Sequence, residues 1–304
     1  MSNPLIRVGT RAFAALVGLV LVLYLVVYMG SEMTLRHRYS LPNHAPFVVR
    51  PTTDSAVLER GRRLAGPLGK CVDCHGPSLA GNTFIDNPAF GRYSGVNLTA
   101  GAGGVGKSLT DADWELAVRH GVDGDGRGLV FMPSRNFNRL SDDDLNALIV
   151  YIRQVRPIDT VMPPVRVGPV GRALLMTGKA PLVDAALIDQ QQPHAAAPPI
   201  GPTAEYGAYL ARVGSCLGCH RSNLEGGPVA GAPRTFKPAA NLTPTGIGTW
   251  TKNDFTRALR DGLTPGGVPI DSFMPVRLTK QMNDTEIDAI WAYLKTVPPQ
   301  PMGK

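Results

Sequence analysis

The chain has 304 residues, enough for about two domains. Its 34 glycines and 27 prolines imply a loop-rich fold, but without the period of collagen. Of the net charge of +7, Arg7, Arg11, Arg36 and Arg38 against Glu32 leave +3 in residues 1–40, and the +4 in the remainder is too dispersed for a nucleic-acid surface.

The first element is Ala12–Gly30, AFAALVGLVLVLYLVVYMG, a stretch of 19 residues without a charge. As a helix rising 1.5 Å per residue it spans roughly 28 Å, about the hydrocarbon thickness of a bilayer. Arg7 and Arg11 precede it and favour a cytoplasmic N-terminus over residues 1–11. A cleaved leader normally has a shorter apolar run and a small-residue cleavage site. This run is longer and ends in Tyr28, Met29 and Gly30, so an uncleaved anchor over 12–30 is expected. Either reading exports residues 40–304.

The remainder is one module used twice. GRRLAGPLGKCVDCHG from Gly61 matches GAYLARVGSCLGCHR from Gly207, and Asn97-Leu98-Thr99 matches Asn241-Leu242-Thr243. LTDADWELAVRHG from Leu109 matches WTKNDFTRALRDG from Trp250, and Phe-Met-Pro at 131 recurs at 273. LSDDDLNALIVYIRQVRP from Leu140 matches MNDTEIDAIWAYLKTVPP from Met282. Each module reads as three helices with long loops. The first helices are expected near 54–65 and 204–213. The second start at the N-cap-like Thr110-x-x-Asp113 and Thr251-x-x-Asp254. The third start at Ser141 and Asn283, carry apolar residues at helical spacing, and end before Pro157 and Pro298. This sets domains at 50–157 and 202–304. A Pro-, Ala- and Gln-rich segment separates them at 158–201, read as a linker with a short helix near 171–177 or, given the apolar residues of Gly171–Ile188, as a segment packed on both modules.

The four cysteines lie in Cys71-Val72-Asp73-Cys74-His75 and Cys216-Leu217-Gly218-Cys219-His220, both C-x-x-C-H. Two thiols three residues apart lie on one side of a helical turn and can add to the two vinyl groups of one haem. The adjacent histidine then faces the iron. A disulfide framework does not suit so long a chain with so few cysteines. A redox dithiol needs a βαβ context absent here, and zinc needs two more ligands for each pair. Two covalently bound haem c groups are therefore expected, with His75 and His220 as axial ligands. The repeat places Met132 and Met274, both in Phe-Met-Pro, at equivalent positions after them, and these are the candidate second ligands. His120 is a rival at the first haem, but its counterpart is Asp261. A thioether ligand raises the potential and closes the iron, which points to electron transfer over catalysis.

Gly61 with Tyr151, and Gly207 with Tyr293, are expected to lock the first and last helices of each module. Asn97 and Asn241 are candidate propionate contacts or, equally, Asx turns. Gly101–Ser108 matches G-x-x-x-x-G-K-[ST], but it has no buried strand before it and no lysine in the second module, so no ATP site is expected.

Both modules resemble class I cytochrome c domains through C-x-x-C-H, the distal Met, and the Gly and Tyr of the terminal helices. The run Asn-Leu-Thr, Thr-x-x-Asp-Trp/Phe and Phe-Met-Pro is similar to the cytochrome subunits of bacterial membrane-bound alcohol, aldehyde and gluconate dehydrogenases. Those subunits usually carry three haems and often a C-terminal membrane segment, and this chain differs in both. The resemblance implies two tandem class I cytochrome c domains, and with the Ala12–Gly30 run the expected fold is all-α, an N-terminal transmembrane helix followed by those two domains. The apolar run and its flanking arginines give the expected placement, a single pass through the bacterial inner membrane with the haem domains in the periplasm. The implied function is electron carriage without enzymatic activity. The donor would be a periplasmic dehydrogenase subunit or a quinol-oxidising complex, and the acceptor a terminal oxidase or soluble cytochrome. The alternative is a dihaem redox enzyme such as a peroxidase or thiosulfate-oxidising protein, which needs one iron able to open.

Overall fold

A computed structural model describes residues 4–194, 196–229, 232 and 235–303. The outermost parts of the expected segments, residues 1–3 and 304, and residue 195 within 158–201, lie outside the described residues.

Helix α1 runs Pro4–Leu35, and its uncharged stretch 12–30 leaves Leu16, Val20 and Leu23 exposed. Its Val8–Leu35 stretch is long and apolar enough to cross a membrane. Among the described residues, its C-terminal end meets the rest of the protein. There Gly30 leaves room for Met176, and Ser31 and Glu32 accept from Arg172 at 2.8 and 2.9 Å.

The first module opens with α2, Ser55–Arg63, capped by Asp54, whose side chain accepts from the Ala56 amide at 2.8 Å. The helix runs on through a π-turn, Leu64–Leu68, broken at Gly66-Pro67. Helix α3, Cys71–His75, is the first C-x-x-C-H turn. Strands β1, Asn82–Asn87, and β2, Gly91–Gly95, form a hairpin. Helix α4, Asp111–Glu115, begins with a capping box between Thr110 and Asp113 and continues as a π-turn to His120. A Ser134–Asn136 turn follows. Helix α5, Asp142–Gln154, is capped by Ser141 and closes the module.

The chain between the modules contains strand β3, Arg166–Val167, and helix α6, Pro169–Met176. The second module repeats the plan. Helix α7, Ala204–Val213, is capped by Thr203, and α8, Cys216–His220, is the second attachment turn. Then come α9, Pro244–Ile247; α10, Lys252–Asp261, with a Thr251–Asp254 capping box; α11, Val276–Thr279; and α12, Asp284–Leu294, with an Asn283–Glu286 box. All four expected N-caps of the second and third helices are thus in place.

The all-α expectation holds only roughly, because β1, β2 and β3 form a three-stranded antiparallel sheet in that order. The local reason lies in the turn between β1 and β2. Asn87 Oδ1 accepts from the amides of Ala89 and Phe90, at 2.9 and 3.0 Å, and folds the chain back on itself. The flanking Phe84, Ile85 and Tyr93 then pack together. Among the described residues the second module has no strand.

Residues 158–201 are folded onto the first module rather than spanning a gap. Strand β3 extends the hairpin, while Ala180, Leu182, Val183 and Ala185 complete two small apolar clusters with first-module side chains. The short helix expected at 171–177 forms two residues earlier.

The two modules share one apolar core. Leu64, Leu68, Leu145 and Ile149 of the first join Tyr206, Leu210, Ile287 and Ile290 of the second in a single cluster. In each module the first helix crosses the last at a glycine. A Cβ on Gly61 would lie 2.0 Å from Ala147 O and 2.6 Å from Tyr151 Cβ. At Gly207 the distances are 1.9 Å to Ala289 O and 2.8 Å to Tyr293 Cβ. The helices cross backbone to backbone there, so only hydrogen fits.

Candidate haem sites

The two attachment turns are built alike. Lys70 and Ser215, each just before the first cysteine, sit in the left-handed region at φ 57° and 58°. Gly76 and Arg221, just after the histidine, also have positive φ. The intervening helical turn carries both thiols and the imidazole. The Gly81 amide donates to His75 O at 2.8 Å, and the Gly226 amide to His220 O at 3.0 Å.

The imidazoles are held the same way in both modules. His75 Nδ1 is 2.8 Å from Val96 O, and His220 Nδ1 is 2.7 Å from Ala240 O. A carbonyl accepts only, so Nδ1 carries the proton and the Nε2 lone pair faces away from the loop. An axial histidine needs this arrangement, one ring nitrogen fixed by an acceptor and the other free for iron. Burial pushes both imidazoles below the usual range, against the upward pull of those carbonyls. Neutral imidazole is the form that ligates a metal.

Val96 and Ala240 each precede an Asn-Leu-Thr run, whose asparagines turn out to be structural locks. Asn97 Nδ2 donates to Ile158 O at 2.7 Å and its Oδ1 accepts from the Thr99 amide at 2.9 Å. Asn241 Nδ2 donates to Gln300 O at 2.8 Å, and its Oδ1 accepts from Thr243. Asn97 and Asn241 thus both make Asx-type turns. Each fastens the histidine-bearing loop to the chain beyond the last helix. The Val96 and Ala240 carbonyls themselves are invisible to side-chain reasoning. Their sequence signal is the recurrence of Asn-Leu-Thr at nearly the same distance from each histidine.

An apolar cleft in the first module brings Cys71 and Met132 into one lining, with Leu64, Val118, Leu140 and Leu148. Val213 of the second module closes it. In the second module Met274 and Leu217 pack on the shared core. His120, the alternative ligand, lies elsewhere, with Nδ1 2.9 Å from Gln190 Oε1.

The residues present fit a covalent haem better than the competing uses of a C-x-x-C pair. Burial, then the neighbouring Cys74, pushes the Cys71 thiol up to about 12, and burial pushes Cys74 to about 11. Burial raises Cys216 and Cys219 as well. Thiols so disposed are not the thiolates that redox centres need. Among the described residues, neither turn gathers its thiols with other ligands into a group compact enough for a metal ion. Trp114 Nε1, in the same core cluster as Cys71 and Met132, is a buried donor with no partner among the described residues. A buried N–H of this kind suits an acceptor that the polypeptide does not supply.

Charged and polar groups join the two turns. Lys70 Nζ donates to Gly214 O, and Arg277 pairs with Asp73 inside the first attachment motif. Asn136 Nδ2 donates to Ser215 Oγ at 2.8 Å. Deeper in the seam, Asp144 accepts both arms of Arg60, at 2.7 and 2.6 Å, and the Tyr209 hydroxyl at 2.6 Å. Arg60 also donates to Tyr206 Oη at 2.8 Å, and Arg63 pairs with Glu286.

The cytochrome c family model matches residues 58–156 and 204–298. The alcohol dehydrogenase (quinone) cytochrome c subunit of Gluconobacter oxydans is 29% identical over 83% of this chain and 57% of its own length. The fructose dehydrogenase cytochrome subunit of Gluconobacter japonicus is 31% identical over 82% of this chain and 54% of its own. A diheme cytochrome c-type protein of Cereibacter sphaeroides is 27% identical over 79% of this chain and 85% of its own. The chain thus spans only slightly more than half the length of the two dehydrogenase subunits.

Proposed function

The chain belongs to the cytochrome c family, and from that premise we propose that it is a membrane-tethered dihaem electron carrier serving a periplasmic dehydrogenase. A haem c supplies a one-electron ferric/ferrous couple when bound. Cys71 and Cys74 would hold one haem and Cys216 and Cys219 the other. His75 and His220 would ligate the haem irons through Nε2, together with Met132 and Met274. The observation that carries this reading is the matched pinning of the two imidazoles, at 2.8 and 2.7 Å, each within a C-x-x-C-H turn.

The protein's own residues do three things. The Val96 and Ala240 carbonyls orient the imidazoles by accepting from Nδ1, while burial favours the neutral rings. The apolar lining of Leu64, Val118, Leu140 and Leu148 excludes water around Met132. The seam formed by Lys70, Asp73, Gly214 and Ser215 sets the two attachment turns against each other, which favours electron passage from one module to the other. Helix α1 would hold both modules at the outer face of a bacterial inner membrane. Relatives named as cytochrome subunits of alcohol and fructose dehydrogenases support a dehydrogenase as donor. A quinol-oxidising complex is the alternative donor, and a terminal oxidase or soluble cytochrome the acceptor.

The test is spectroscopic. The purified full chain should carry two covalent haems, both low-spin and unreactive toward carbon monoxide. Met132→Ala should convert one of them to a high-spin or carbon-monoxide-binding form while leaving it covalently attached. Rapid carbon monoxide or peroxide binding by the unmodified protein would instead favour a dihaem enzyme. An unchanged spectrum in the variant would remove Met132 from the ligand set.

A further inference from the structure

Of the six histidines, His75 and His220 lie in the attachment turns. Three of the other four converge at one place outside both turns. His44, His120 and His194 meet Glu115, and the ligand atoms of all four lie within 4.8 Å of one another. The imidazole rings are 4.9 Å apart for His44 and His194, and 5.9 Å apart for the other two pairs. We propose that this cluster is a structural site for a divalent transition-metal ion of the zinc class, held by His44, Glu115, His120 and His194.

The hydrogen bonds prepare the donors. His120 Nδ1 lies 2.9 Å from Gln190 Oε1, while Gln190 Nε2 donates to the His120 and Ala185 carbonyls. The glutamine oxygen therefore accepts, Nδ1 carries the proton, and the Nε2 lone pair is free. His120 is 3% exposed, and Nε2 is buried with no partner in the protein. His44 is set the same way, with Nδ1 2.9 Å from Ala45 O. His194 Nε2 is likewise buried and unpartnered. Its Nδ1 accepts from Arg119 at 2.9 Å and lies 3.5 Å from Asp142 Oδ1. On metal binding the His194 proton moves to Nδ1 and turns to Asp142, the carboxylate–histidine–metal arrangement. Arg119 keeps its bonds to Glu115, Asp142 and Leu140 O.

The chemistry selects the ion. Three imidazoles and one carboxylate make a closed four-coordinate set, which suits zinc and does not suit magnesium or calcium. Tetrahedral bonds of about 2.0–2.1 Å place donors roughly 3.4 Å apart. Small rotations of the four side chains would draw donor atoms now within 4.8 Å of one another to that spacing. Arg119 contributes one positive charge to the surroundings, and Glu115 and Asp142 two negative ones, so a cation is favoured there.

The ion would staple three distant segments. His44 lies between the apolar helix and the first module, Glu115 and His120 on helix α4 and its π-turn, and His194 in the segment after the module. Gln191 already links the outer two, accepting from the Asn43 amide at 2.9 Å and donating to Leu41 O at 3.1 Å. The second module has Asp261 where the first has His120, so the site belongs to the first module alone.

The test uses the full haem-loaded chain in detergent, stripped with a chelator, desalted and titrated with zinc chloride. Metal is counted per chain by mass spectrometry, with protein measured independently. The unmodified protein should retain about one zinc. The double variant H44A/H194A should bind at least about 100-fold more weakly, and H44Q alone should already weaken binding without changing the haem spectrum. H37A, outside the cluster, should bind as the unmodified chain does. Equal zinc retention by the unmodified chain and the double variant would overturn the proposal, as would no retention by either. Displacement of zinc by magnesium would overturn the donor assignment.

Discussion

Asn136 Nδ2 donates to Ser215 Oγ at 2.8 Å, tying the loop after Met132 to the residue before Cys216. The reciprocal contact runs from Arg277, three residues after Met274, to Asp73 between the first pair of cysteines. Each module's methionine loop therefore grips the other's attachment turn. The repeat folds as a pseudo-symmetric pair, with its two candidate haem sites facing a common seam.

Cutting that seam should separate the modules electronically before it unfolds them. The double variant N136A/R277A removes two partly exposed interactions, each contributing about 1 kcal/mol or less. Intramolecular electron exchange after flash reduction should slow, while the spectrum of each haem stays unchanged. An unchanged exchange rate would show that the seam does not set the coupling.

The buried end of the seam should behave differently. Asp144 holds Arg60 bidentately with side-chain exposures of 7% and 14%. Asp144→Ala strands that guanidinium and the Tyr209 hydroxyl, and should destabilise the protein by about 3–5 kcal/mol. In guanidinium titrations the midpoint should fall. A change below about 1 kcal/mol would mean that water reaches Arg60 and replaces the carboxylate.

The two glycine crossings should be intolerant of a single methyl group. Gly61→Ala and Gly207→Ala each place a carbon about 2 Å from a backbone oxygen of the facing helix. Neither oxygen can rotate away, so helix separation should cost at least about 1–3 kcal/mol in thermal or denaturant unfolding. Gly266→Ala meets nothing within 4 Å and serves as a near-neutral control.

Acid should reveal a particular carboxylate. Burial raises the Asp111 pKa, but hydrogen bonds from the Val49 amide at 2.9 Å and Arg153 at 2.7 Å outweigh it and leave the group below its usual range. A carboxyl lowered on folding stabilises the protein above the unfolded value of about 3.9 and loses that contribution as pH falls through the folded value. Asp111→Asn should therefore destabilise at pH 7 by about 1 kcal/mol or less, since both partners are about a third exposed. The gap between variant and unmodified protein should close as the medium is acidified below about pH 4. A gap independent of pH would place the effect in packing.

The apolar helix, the duplicated module, the attachment motifs and the helix starts were all legible in the residue order. They depend on chemistry repeated over a few positions: an uncharged run, two thiols one turn apart, a Thr or Ser three residues before an acid. The Gly61–Tyr151 and Gly207–Tyr293 locks were legible too, because the repeat showed them twice. What only the tertiary structure decided is how distant segments meet. Residues 158–201 pack onto the first module, a third strand joins the hairpin, and Asn97 and Asn241 lock turns. Three histidines spaced along residues 44–194 come together. Such contacts carry no local signature, since each is set by which surfaces the folded chain leaves for the next segment to cover.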